Sequence, residues 1–210
     1  MERLMNGSVG VVATLGLAGT VALLSTSVVR GQAASGDALA QSLRQGGYVL
    51  VMRHASSPRE APDKQTANAD NVKLERQLDE AGRSGSTAMG NALRDLKIPV
   101  GEVLTSPTYR ALETVRLAKF ANPRAYAELG DGGQSMQSVN DAQGAWLRER
   151  AMRLPKGTNT IIVTHMPNIT RAFPEWGAVA DGEVVVVGSD GKGGTRPVGR
   201  IKIEEWSRLR

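Results

Sequence analysis

Two short apolar runs in this chain break off at a histidine, and the chain contains no third histidine. Tyr48-Val49-Leu50-Val51-Met52 leads into Arg53-His54, and Thr160-Ile161-Ile162-Val163-Thr164 leads into His165. Runs of this length, rich in β-branched residues and stopped abruptly by polar ones, read as strands rather than helices. A continuous apolar run, without polar alternation, belongs to a strand covered on both faces, as in parallel α/β sheets. In such sheets ligands bind beyond the carboxyl ends of the strands. Both histidines therefore stand where a strand delivers side chains to a ligand.

The segments around these runs fit the same architecture. A short helix is expected over residues 37–45, stopped by Gly46-Gly47. Residues 55–71 are rich in Ser, Pro, Ala, Asp and Asn without periodicity, which marks a long loop of the kind that forms lids or binding surfaces. Asp79 is placed to cap a helix running to residue 97, with Met89, Leu93 and Leu96 on one face, ended by Ile98-Pro99. Residues 100–104 form a second strand. Pro107 opens a helix to residue 121, with Leu112, Val115 and Ala118 on a shared face. A short strand at 125–127 precedes the glycine-rich stretch 130–133, and a helix over 139–154 turns Leu147, Ala151 and Leu154 inward. A short helix follows Pro167, and strands at 183–187 and 198–203 flank the glycine-rich turn 188–194. Alternating strands and helices predict a three-layer α/β domain: a mostly parallel sheet, helices on both faces, and an antiparallel pair at the end.

Residues 7–29 carry no charge, residues 9–24 are almost continuously apolar, and the small residues Gly31-Gln32-Ala33 follow. This pattern predicts an export signal over residues 1–33 and a folded domain over 34–210 facing the periplasm or the exterior. The alternative is an uncleaved anchor, because 23 residues at ~1.5 Å rise span roughly 35 Å and reach across a bilayer. Aromatic residues make up only 4% of the chain, so the core must be aliphatic. The net charge of +5 is dispersed, without the basic stripe and interleaved aromatics of a nucleic-acid surface, and suits anionic ligands at most. The absence of cysteine excludes disulfides, thiolate metal sites and cysteine nucleophiles. Two histidines without a carboxylate motif fall short of a zinc site, so neither metal nor cofactor is expected.

Convergence of Arg53, His54, Arg110 and His165 would assemble a specific chemistry. Two guanidiniums match the oxygens of a phosphate, each charge-assisted bond contributing about 1.5–3 kcal/mol. The same charges keep a neighbouring imidazole neutral at pH 7 and therefore nucleophilic. A neutral histidine can attack phosphorus and form a covalent intermediate that water then hydrolyses. A second histidine would donate to the oxygens on which negative charge accumulates.

These residues resemble the histidine phosphatase superfamily, with its phosphoglycerate mutase-like fold. The resemblance covers residues 47–206 and rests on Val49-Leu50-Val51-Met52-Arg53-His54, on Thr105-Ser106-Pro107-Thr108-Tyr109-Arg110-Ala111-Leu112-Glu113-Thr114, and on Val163-Thr164-His165. It implies His54 as nucleophile, with Arg53, Arg110 and His165 holding phosphate, and an acidic residue after the second arginine as general acid. Glu128 lies closest to that place, with Asp131 as the fallback. Glu113 reads as a structural helix partner, and Ser57 as either a phosphate donor or a loop hydroxyl. The chain departs from the family at Ala55, where glycine usually follows Arg-His. The implied function is a metal-independent phosphohydrolase acting on a phosphorylated small molecule or envelope component, a phosphohistidine protein included. The competing expectation is a non-catalytic phospho-ligand binder or sensor of the envelope, motivated by Ala55 and by the lack of a sharp acid motif.

Overall fold

A computed structural model of the protein describes residues 36–131 and 137–210. The expected export signal lies outside the described residues, among which no helix is long and apolar enough to cross a membrane. Six strands form one sheet: β1 (Val49–Arg53), β2 (Val100–Thr105), β3 (Arg124–Ala125), β4 (Asn159–Thr164), β5 (Val184–Ser189) and β6 (Thr195–Ile201). Their order is β3-β2-β4-β1-β5-β6. The first four are mutually parallel, and β5 and β6 join as an antiparallel hairpin on the far side of β1. The helices are α1 (Gly36–Leu43), α2 (Glu80–Asp95), α3 (Tyr109–Leu117), α4 (Gln137–Ala151) and α5 (Met166–Ala172).

The period of two along each strand divides the apolar runs between two cores. Leu50, Met52, Ile161, Val163, Val184 and Val186 pack with Leu39, Leu43, Met89, Leu93, Ala111, Val115 and Trp206, which come from α1, α2, α3 and the C-terminal turn. Val49, Val51, Ile162, Val185 and Val187 face the other way, onto Leu147, Ala151, Ile169 and Phe173 of the α4–α5 layer. Each such side chain contributes on the order of 1.5–3 kcal/mol by burial. That is why the run 49–52 contains no polar position.

Helix ends explain where the expected boundaries shift. Asp79 caps α2 as anticipated, its Oδ1 accepting from the Gly82 N–H at 2.7 Å. Both α2 and α3 then end in paired backbone bonds around a left-handed residue: Lys97 and Ile98 donate to Arg94 and Leu93, Lys119 and Phe120 to Arg116 and Val115. The left-handed position is occupied by lysine (φ 55° at Lys97, 56° at Lys119), not by the usual glycine. Consequently α3 stops at Leu117 rather than at 121. It also starts at Tyr109 rather than Pro107, because Thr108 is extended. Leu112 was expected inward but is 39% exposed, since the buried face runs through Ala111, Val115 and Ala118 at helical spacing. Similarly, α4 ends at Ala151 and leaves Leu154 beyond it, packed against the same core. The short third strand is Arg124–Ala125, followed by a 3-10 turn over Ala127–Leu129.

Candidate active site

Strand register brings the site together. Arg53 pairs with Thr164 and Thr105 with Val163, so β1, β4 and β2 finish at one level. The backbone ladder runs one residue further, with the His54 N–H donating to the Thr164 carbonyl and the Ser106 N–H to Val163, both at 2.9 Å. His54, Ser106 and His165 therefore leave the sheet side by side. The two imidazoles lie 5.1 Å apart between centroids.

Arg110, in the first turn of α3, bridges the two rings. Its Nε donates to His54 Nε2 at 3.2 Å and a terminal nitrogen donates to His165 Nδ1 at 3.1 Å. Partners fix both tautomers, because a carbonyl only accepts and a guanidinium only donates. His54 Nδ1 lies 2.8 Å from the Ala55 carbonyl, so Nδ1 carries the proton and Nε2 keeps its lone pair. His165 Nδ1 accepts from Arg110, so its Nε2 carries the proton and donates to Ser106 Oγ at 2.8 Å. His54 and His165 are 4% and 1% exposed. Burial, reinforced by Arg110 and Arg53, pushes the His54 pKa down to about 4, against the opposing Ala55 carbonyl. Burial and Arg110 push His165 down to about 2. Both rings are neutral at pH 7.

Ala55 is buried and is not among the positive-φ residues, so its methyl adds no backbone strain where glycine is usual. Its N–H donates to Thr114 Oγ1 at 3.2 Å, and that hydroxyl donates to the Arg110 carbonyl at 2.8 Å. Thr114 thus ties the backbone that follows His54 to the helix turn that carries the guanidinium. From the other side, the Ser56 hydroxyl donates to the cap carboxylate of Asp79 at 2.7 Å, and α2 approaches the Ser56 backbone at Gly82.

Arg53 turns toward the β5 side of the site. It donates to the Val179 carbonyl at 3.0 Å and lies 2.7 Å from an Asp181 oxygen, while its buried Nε finds no acceptor among the described residues. Glu128 lies exposed on the 3-10 turn, and among the described residues its carboxylate forms no hydrogen bond or ion pair with the cluster. Asp131 instead forms an ion pair with Arg110. The backbone leading to it is pinned by buried Asn168, which donates to the Gly130 carbonyl at 2.8 Å, and by Thr164, which donates to Leu129 at 3.1 Å.

The long loop, irregular all the way to Asp79, is held down over this site. Glu113 is buried and accepts from Asn68 at 3.0 Å and from the Leu78 N–H at 3.3 Å; it is a structural partner of the loop rather than of Arg110. The Ser57 hydroxyl donates to the Gln77 carbonyl at 2.9 Å. This bracing presents a third arginine that the sequence did not flag. Arg76 donates to the carbonyls of Pro58 at 2.6 Å and Ser57 at 3.0 Å, and its charge contributes to depressing both histidines. No motif surrounds Arg76; only the fold of the loop brings it to the cluster. Among the described residues no group of three acidic or histidine side chains is arranged to hold a metal ion.

The chain matches no protein-family profile and no curated protein by sequence. Solved structures do match. The product of the open reading frame Rv3214 from Mycobacterium tuberculosis aligns over 71% of this chain and 94% of its own, at a TM-score of 0.51 and 16% identity. A SixA protein of Agrobacterium tumefaciens, assigned as a phosphohistidine phosphatase, aligns over 74% and 98%, at 0.50 and 14%. The fold is the one these two proteins share, phosphoglycerate mutase-like in topology. In this fold the His54–Arg110–His165 cluster sits beyond the carboxyl ends of the central strands.

Proposed function

We propose that the domain is a metal-independent phosphohydrolase that works through a phosphohistidine on His54. What supports this most is the Nε2 lone pair of a neutral, oriented imidazole, met by Arg110 and flanked by a second neutral imidazole. In the first step Nε2 attacks phosphorus and the bond from phosphorus to the leaving oxygen breaks. The leaving oxygen takes the electron pair and a proton from Asp131, which stands beside the cluster on Arg110, where Glu128 is not, and takes that proton up from solvent as the substrate's phosphate replaces it on the guanidinium. Arg53, Arg76 and Arg110 offset the phosphoryl charge as it develops, without reorganisation at the moment of reaction. Water then attacks phosphorus, the P–N bond returns its electrons to Nε2, and the Asp131 carboxylate accepts the water proton. A phosphoimidazole substrate would need the acid least, because its leaving group is already a weak base.

We further propose that the domain works outside the cytoplasm on a phosphorylated small molecule or envelope component, with residues 1–33 as export signal or residues 7–29 as tether. An intact mass short of the N-terminal segment in the exported fraction is expected for a signal; full-length protein in the membrane fraction is expected for a tether. The catalytic test is hydrolysis of an aryl phosphate by the purified protein with a metal chelator present. Turnover should survive chelation and fall at least a thousandfold in His54→Ala, on the order expected for loss of a nucleophile. Orthovanadate binding without turnover in the parent protein would instead favour the sensor.

A further inference from the structure

A guanidinium carries five N–H donors and accepts nothing. In Arg110 three of them are committed inside the site: Nε–H to His54 Nε2, one terminal N–H to His165 Nδ1, and another to the Asp131 carboxylate. The first of these bonds caps the very lone pair that would attack phosphorus. A phosphoryl group cannot reach bonding distance of Nε2 while an N–H lies along that lone pair at 3.2 Å donor to acceptor. Arg110 is only 5% exposed, and a buried cation is held where an anion compensates it. Asp131 supplies that anion from the rim, with its side chain 37% exposed.

We propose that Asp131 is a displaceable latch. Its carboxylate holds Arg110 across the nucleophile, and the phosphate of the substrate takes its place on the guanidinium, drawing Arg110 off His54 Nε2. The displaced carboxylate takes up a proton from solvent and turns toward the leaving group as its acid, at the step that uncovers the base. The backbone is suited to this, because Asn168 and Thr164 pin the turn at Gly130 and Leu129, so the chain that carries Asp131 stays in place when its carboxylate leaves Arg110. The consequence for turnover rests on the phosphohydrolase mechanism above; the competition for Arg110 does not.

The test is calorimetric titration of orthophosphate into the parent protein, Asp131→Asn and Asp131→Ala, with melting temperatures to show that all three are folded. Removing the competing carboxylate should tighten phosphate binding roughly three- to tenfold, the range for a partly exposed ion pair and its repulsion toward the incoming dianion. In parallel, KM for an alkyl phosphate should fall while kcat falls as well, a split that mere loosening of the loop would not produce. Unchanged or weaker phosphate binding in both variants overturns the latch. Tighter binding in the variants with no hydrolysis by the parent keeps the latch and removes the phosphohydrolase. Hydrolysis abolished by His54→Ala, with phosphate affinity unmoved by Asp131, does the reverse.

Discussion

Acidification should unfold this domain sooner than its carboxylates require. His54 and His165 are buried and neutral, with pKa values of about 4 and about 2 against 6.5 for an unperturbed histidine. Because the folded values lie below the unfolded one, the unfolded chain binds protons that the folded chain refuses. The stabilisation is complete above pH 6.5 and is lost as pH falls, down to about pH 4 for His54. Between pH 7 and pH 5 each histidine withdraws about 2 kcal/mol, the free energy of protonating a free imidazole in the unfolded chain over that interval. The pair together withdraws about 4 kcal/mol, a large part of the 5–15 kcal/mol typical of a single domain. Urea unfolding followed by circular dichroism at pH 7, 6 and 5, at constant ionic strength, measures the slope. His54→Asn and His165→Asn keep the hydrogen bond made at the Nδ1 position of each ring but cannot titrate, so each should remove about half of the pH dependence. If both single variants and the double variant lose stability on acidification as steeply as the parent, the buried-neutral description of the site is wrong.

Two further outcomes follow from the packing around the cluster. An ideal Cβ at Gly82 would stand 2.2 Å from the Ser56 carbonyl oxygen, so Gly82→Ala must push the strand exit by about an ångström. It should cost about 1–3 kcal/mol by denaturant titration and lower aryl phosphate turnover on the order of a hundredfold; parental values for both would show that the close approach is dispensable. Arg76→Met keeps most of the apolar stem but removes the charge facing both histidines. Orthovanadate affinity should drop about tenfold or more, the range for a lost charge-assisted bond, and the melting temperature should fall as well, because the Pro58 and Ser57 carbonyls lose their donor. An affinity equal to the parent's would place Arg76 outside the anion's reach.

Much of the fold could be read from local pattern because the determinants are local. Val49 and Val51 face one core and Leu50 and Met52 the other, which is what an uninterrupted apolar strand requires. Asp79 caps α2 through a bond three residues away. What escaped local reading has a physical cause in each case. Lysine at Lys97 and Lys119 takes left-handed positions that a sequence announces only through glycine or asparagine. Leu112 falls on the exposed side because α3 is oriented by the docking of Ala111 and Val115, and a short helix with apolar residues at adjacent positions fits more than one orientation.

The sequence by itself determined the layered α/β class, the strand exits at His54 and His165, and the residue types from which an anion site is built. Those properties arise from periodicity and side-chain chemistry, which act over a few residues. The tertiary structure decided which charges meet: Arg110 spanning both rings, Asp131 rather than Glu128 on that guanidinium, and Arg76 carried in by a loop braced on Glu113. Electrostatic effects depend on distance and burial, and neither is a property of any stretch of chain until the sheet register and the loop's hydrogen bonds have set them.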